Sequence, residues 1–245
     1  MTFDTHPRSS LIVALDFDSL SSALKFAKQI ADVVGMFKIG SQLFTAAGPE
    51  AVRQVAGLGA GIFLDLKFHD IPNTVAGAVL SAAGLPGVQL VNVHALGGSA
   101  MMEAAMQAVS AGVPMGADRT RLLAVTILTS MDQKAIREVG IGGPPNERVV
   151  KLAKLAKKAG VDGVVASVQE AKAIRKACGR DFLIVTPGVR PKVADAKQDD
   201  QARTATPAEA IRAGADYIVV GRPILSANNP RAAAQEIVEE IGAAK

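Results

Sequence analysis

The sequence predicts a closed (β/α)8 barrel, an α/β fold of the TIM-barrel type, as a single domain over residues 1–245. Three observations carry this prediction. Apolar, β-branched runs alternate eight times with alanine-rich stretches of helical pattern, which implies parallel strands and right-handed crossovers. Eight such units in 245 residues match the ~250 residues typical of this barrel. The turn after the first run reads Asp16-Phe17-Asp18-Ser19, whereas an open doubly wound sheet needs a glycine-rich turn there.

The strands follow in order. LIVALD (11–16), MFKIG (36–40) and GIFLDLK (61–67) are compact apolar runs that end in polar residues. QLVNVH (89–94), LLAVTI (122–127) and DGVVAS (162–167) repeat the pattern, as do FLIVT (182–186) and DYIVVG (216–221). Helical patterns fill the intervals at 21–34, 50–58, 74–83, 99–110, 146–158, 168–176 and 207–213, and one at 230–241 follows the last strand. No linker or low-complexity segment divides the chain, which points to one core.

Composition narrows the function. The chain is 49% hydrophobic and 20% charged, but no apolar run reaches the length of a membrane span. The segment MTFDTHPRSS lacks a hydrophobic signal core, so a cytoplasmic location is expected. Cys178 is the only cysteine, which excludes internal disulfides and thiolate metal clusters. The net charge of +4 comes without a basic block, and there is no Trp and one Tyr. A small phosphorylated substrate suits this balance better than a nucleic acid, which would want a basic stripe or stacking aromatics.

Barrels of this kind build their sites at the C-terminal ends of the strands. Those ends carry Asp16, Lys38, Asp65 with Lys67, His94, Thr126 to Ser130, Ser167, Thr186 to Arg190, and Gly221 with Arg222. Turn chemistry explains some of these residues, but not lysines where strands are most buried. In FLDLKFHDIPN (63–73), alternation places Asp65 and Lys67 on one face of a strand that should bury both faces. A cation and an anion carried side by side into a dry place must be paired, and they mark a candidate site. The alternative is a purely structural ion-pair network.

Lys67, flanked by Asp65 and Asp70, is expected to stay protonated and act as an acid. A Schiff-base lysine wants an apolar or cationic pocket instead. Such an array suits a reaction that loses a negative substituent and develops a carbanion beside Lys67. TPGVRP (186–191) and Gly221-Arg222 lie after strands 7 and 8, where this fold often binds phosphate. A glycine lets backbone N–H groups approach an anion, and a guanidinium binds it in a bidentate way. The long polar connection 187–206 has the character of a lid or a disordered loop.

The histidines leave alternatives open. His6 lies in a tail, His69 can orient a loop, and His94 either lines the pocket or is a hydrogen-bonded structural residue. No HxH, HExxH or carboxylate–His spacing argues for a metal. Asp65 and Asp70 could hold Mg²⁺ in principle, with Lys67 competing. No serine or cysteine has a nucleophile-elbow context.

The chain resembles the orotidine 5′-phosphate decarboxylase family. The matching segments are ALDF (14–17), FKIG (37–40), DLKFHDIPNTV (65–75), NVHALGG (92–98), VTILTS (125–130), TPGVRP (186–191), DDQARTATP (199–207) and VVGRPI (219–224). A bare DxKxxD also occurs in related barrels that act on sugar phosphates, so the IPNT extension and the phosphate-side segments discriminate. The resemblance implies decarboxylation of orotidine 5′-phosphate to UMP without cofactor or metal, in pyrimidine synthesis. It implies Asp65 against the substrate carboxylate, Lys67 as proton donor to C6, and Lys38 holding the charge array and the ribose. Asp16 would contact the ribose and Thr129 the pyrimidine edge. Gln201, Gly221 and Arg222 would hold the phosphate, with Arg190 on a closing loop. Asp70 and Thr74 would reach into the neighbouring site of a homodimer.

Rival functions on the same barrel are a Mg²⁺-dependent sugar-phosphate decarboxylase or aldolase, a non-catalytic phosphate-binding barrel, and an isomerase using His94 as base.

Overall fold

The computed structural model describes residues 6–111, 113, 119–191 and 205–245. Eight parallel strands close into a barrel in chain order, with β1 (Leu11–Ala14) pairing both β2 (Met36–Gly40) and β8 (Tyr217–Val220). Between them run β3 (Gly61–Phe68), β4 (Val88–His94), β5 (Arg121–Val125), β6 (Gly163–Val165) and β7 (Leu183–Thr186). The alternation read from the sequence is thus the observed architecture.

The helices differ from expectation at their ends. α1 (Leu20–Ala27) starts at a Ser19 cap, but stops before 34. From Gln29 onward the N–H groups bond to the third preceding carbonyl (Gln29 to Phe26, Ile30 to Ala27, Val33 to Ile30). These tighter turns replace the last helical turns without moving the buried Ile30. α2 (Ser41–Ala56) begins well before residue 50. It is two helical pieces joined at Gly48 (φ +60°) and Pro49, and only the second matched the expected stretch. α3 (Pro72–Ala83), α4 (Gly98–Ser110), α6 (Pro145–Lys158), α7 (Val168–Cys178), α8 (Pro207–Arg212) and α10 (Pro230–Ala244) fall where expected. The short α5 (Gln133–Glu138) and α9 (Arg222–Leu225) are additions.

Alternation along each strand sorts the core into two layers. Leu11, Val13, Phe37, Ile39, Ile62, Leu64, Val91, Val93, Ile184 and Ile218 face the helices. Ile12, Ala14, Met36, Phe63, Leu90, Leu123, Leu183, Val185 and Val219 fill the barrel interior. One step of two residues further along the inward register leads from Ala14 to Asp16, from Met36 to Lys38, from Phe63 to Asp65 and from Leu90 to Asn92. The apolar plug therefore ends in a floor of polar side chains. No helix among the described residues is long and apolar enough to cross a membrane.

Candidate active site

Four charged side chains form a chain across the C-terminal mouth. Lys38 Nζ donates to Asp16 Oδ1 at 3.1 Å and lies 3.6 Å from Asp65 Oδ2. Lys67 Nζ donates to Asp65 Oδ1 at 2.7 Å. Exposure grades outward, from 11% for the Asp65 side chain and 13% for Lys38 to 38% for Lys67 and 51% for Asp16. Lys67 is thus the cation a ligand would meet. A Cβ on Gly40 would stand 2.9 Å from Lys38 Nζ, so this glycine leaves room for the ammonium.

Burial alone would push the Asp65 carboxyl up. The charges of Lys38 and Lys67, with hydrogen bonds from Lys67 and Asn92, outweigh that penalty and hold it below the usual carboxylate range. Asp65 is an anion with two cations on it.

Asp65 and Lys67 meet, but not by simple pleating. Lys67 has φ +50°, alone in the left-handed region among the described non-glycine residues. That conformation costs a lysine roughly 1–2 kcal/mol. The β3–β4 register jumps from Leu64↔Val91 to Phe68↔Val93, leaving Asp65, Leu66 and Lys67 opposite Asn92 alone. Such a bulge re-aims a side chain. Asn92 is completely buried. Its Oδ1 accepts the Lys67 backbone N–H at 2.8 Å, and its Nδ2 donates to Asp65 Oδ1 at 2.6 Å. Sequence reasoning assigned Asn92 no role. The available signal was an amide at the inward register of the apolar run LVNVH.

The remaining expected residues divide into those at the mouth and those apart from the array. Asp70 is exposed just past β3 and accepts the Ile71 N–H at 2.6 Å. Among the described residues it forms no ion pair with Lys67, and Thr74 is exposed on the first turn of α3. Thr129 is buried in the loop after β5. A Cβ built on Gly221 would come within 3.8 Å of Asp16 Oδ2, so the end of β8 borders the charge chain. Arg222 opens α9 directly after it. The Arg190 N–H donates to the Ala205 carbonyl at 2.9 Å, and Val189 bridges Ala205, so the described ends of the long connection are pinned together. Gln201 and most of the 187–206 connection lie outside the described residues. His94 accepts the Leu96 N–H at 3.5 Å and stacks on His69 with ring centres 5.4 Å apart. Burial, then His69 and Lys67, lower its pKa. Among the described residues, no group of three or more His, Cys, Asp or Glu is placed to hold a metal ion.

This geometry can stabilise negative charge that develops beside Lys67 and can deliver a proton to it. Comparisons with known proteins identify the family. The profile of the orotidine 5′-phosphate decarboxylase / HUMPS family matches residues 9–237. The orotidine 5′-phosphate decarboxylase of Geobacter sp. (strain M21) is 55% identical over 231 residues, covering 94% of this chain and 95% of that protein. The protein of the same name from Geotalea daltonii is 56% identical over 234 residues, 96% of each chain. The crystal structure of orotidine 5′-phosphate decarboxylase from Lactobacillus acidophilus superposes with a TM-score of 0.82 at 42% identity, covering 94% of this chain and 98% of that one. An eight-stranded barrel with this charge chain at its mouth, matched along nearly its whole length, belongs to the orotidine 5′-phosphate decarboxylase / HUMPS family.

Proposed function

We propose that this protein decarboxylates orotidine 5′-phosphate to UMP and carbon dioxide, using its own side chains without metal or cofactor. The supporting observation is the pairing of Lys67 Nζ with an ionised Asp65 at 2.7 Å, at the open end of the charge chain. The bond from C6 to the carboxylate breaks and carbon dioxide leaves. The electron pair stays on C6, and a proton from Lys67 Nζ fills it. The amine then regains a proton from water. The C6 pair lies in the ring plane and cannot delocalise into the π system, so nearby positive charge must stabilise it. Lys67 gains interaction as charge moves from the departing carboxylate onto C6, which is differential stabilisation of the transition state.

The other residues take supporting roles in this proposal. Asp65 adjoins the substrate carboxylate and pins Lys67. Lys38 and Asp16 hold the array and the ribose, and Thr129 reads the pyrimidine edge. Gly221, Arg222, Arg190 and Gln201 hold the phosphate. Binding energy from that remote group favours closure over the base. Asp70 and Thr74 serve the site of a second copy in a homodimer. The exposed Ile71, Leu96 and Leu128 favour this assembly. They follow β3, β4 and β5, neighbouring strands of the barrel, and are apolar side chains that a partner would cover. The single cysteine fits a reducing cytoplasm.

The test is to incubate EDTA-treated protein with orotidine 5′-phosphate and follow the ultraviolet spectrum. Conversion to UMP at an undiminished rate is expected. Turnover that needs added Mg²⁺ would favour the sugar-phosphate rival, and no turnover on this substrate would defeat the proposal.

A further inference from the structure

We infer that Asn92 is the positioning residue of this site: its buried carboxamide holds Lys67 in the left-handed backbone conformation that lays its ammonium on Asp65. The inference rests on the decarboxylase function proposed above and extends it to a residue outside the charge chain. Three hydrogen bonds form a closed ring. The Lys67 N–H donates to Asn92 Oδ1 at 2.8 Å, Asn92 Nδ2 donates to Asp65 Oδ1 at 2.6 Å, and Lys67 Nζ donates to the same oxygen at 2.7 Å.

The ring fixes the amide's orientation. A backbone N–H can only donate, so the oxygen of Asn92 must face Lys67 and its NH₂ must face Asp65. That in turn demands an acceptor at Asp65, which its lowered pKa supplies. The interrupted β3–β4 ladder explains why the amide is needed. Between Leu64 and Phe68 the neighbouring strand is out of register, and Asn92 supplies the acceptor for the part-buried N–H of Lys67. Without it, the left-handed turn has no compensating bond, and the strained backbone can relax and carry Nζ away. Asn92 is completely buried and meets the array through its bonds to Asp65 and to the Lys67 backbone, not through a surface open to a ligand. Its effect is therefore on the rate of the chemical step rather than on substrate capture.

The experiment uses two variants of the full chain. Asn92→Ala removes both bonds. Asn92→Asp keeps the shape and the acceptor, but places a second carboxyl against Asp65. Two carboxyls in contact cannot both ionise cheaply, so they hold a proton between them at low pH and lose it at high pH. At about pH 8 both variants are expected to lose kcat by roughly tenfold to a hundredfold, with KM for orotidine 5′-phosphate within about threefold of the parent. Lowering the pH to about 6 should restore Asn92→Asp severalfold, while Asn92→Ala shows no such recovery. A crystal structure of Asn92→Ala should show Lys67 outside the left-handed region. Three results would overturn the inference: kcat within about twofold of the parent in both variants, equal impairment in both with the parent's pH profile, or Lys67 retaining its positive φ without Asn92. If Asn92→Ala does not fold, the isosteric Asn92→Asp carries the kinetic test. A parent protein inactive on orotidine 5′-phosphate would instead defeat the proposed function, and the crystal structure of Asn92→Ala would still decide the backbone claim.

Discussion

Two partly buried carboxylates sit at opposite ends of this barrel and shift in opposite directions. At the C-terminal mouth, Asp65 is the more buried, with 11% side-chain exposure, yet its pKa is lowered. Near the other end, Asp216 has 32% side-chain exposure, and burial raises its pKa despite the Ile184 N–H and the Arg175 guanidinium, each at 2.7 Å. One cation and one backbone donor do not offset desolvation at Asp216. Two ammonium groups and a carboxamide do so at Asp65.

The cations differ as well. Arg175 spends its donors on the carbonyls of Gly179, Arg180, Phe182 and Gly214 as well as on Asp216. Arg119 likewise forms a two-pronged bond to Asp162, which also accepts the Leu122 N–H. These are closed staples between strand ends. Lys67 instead has Asp65 as its ion-pair partner among the described residues and keeps its outer side open. Charge with unspent donors at the mouth fits a site for chemistry, and charge fully spent at the base fits a scaffold.

That contrast can be broken or sharpened by substitution. Asp65→Asn is expected to reduce kcat by about a thousandfold, because it uncouples Lys67 from its anion, and to lower the melting temperature by a few degrees, because the ion pairs with Lys38 and Lys67 are lost. Steady-state kinetics with thermal melts check it. If the variant weakens substrate and UMP binding by the same factor while kcat holds, repulsion of the bound carboxylate by Asp65 loses its support. Arg175→Ala should cost about 3 kcal/mol of stability, by leaving Asp216 and several carbonyls unpaired. Denaturant unfolding measures this, and kcat of the folded enzyme should match the parent. Arg222→Ala should raise KM for orotidine 5′-phosphate roughly thirtyfold with a smaller effect on kcat, since it removes a charged contact to the phosphate. A variant that loses kcat alone would contradict the phosphate role.

The smallest expected effect is in pH dependence. Asp216 has a raised pKa, so the folded state binds its proton more tightly than the unfolded state does. Its contribution to stability is fully present below the ordinary carboxylate pKa of 3.8 and is lost as pH rises through the folded value. Asp65 has the opposite sign: its contribution is present above 3.8 and is lost as pH falls through its lowered value. Stability curves for Asp216→Asn should therefore lack the decline on the alkaline side of 3.8 that the parent shows. Parallel curves would show that Asp216 is not the group responsible.

Much of this organisation was legible in the sequence. Apolar runs two layers deep, such as LIVALD and GIFLDLK, announced strands buried on both faces, and their polar ends announced the mouth. Lys38, Asp65 and Lys67 were identifiable because lysine is out of place there. The junctions were less legible. Pro49 hid the first half of α2, because a proline in a helical pattern reads as a start. The bulge at Lys67 was invisible, since nothing local favours positive φ in a lysine. It depends on Asn92, 25 residues away, and an isolated amide in a strand carries no obvious meaning. Asp70 and Thr74 illustrate a different limit, because the role proposed for them lies in the site of a second copy of the chain.

The central claim is that the mouth array performs chemistry rather than holding the barrel together. Its most direct test is Lys67→Ala with saturating orotidine 5′-phosphate in EDTA, with UMP formation and the melting curve measured on the same preparation. The account predicts a loss of turnover of about ten-thousandfold, with a melting temperature within a few degrees of the parent's. Turnover near the parent rate, or a loss of turnover that merely follows unfolding, would contradict it.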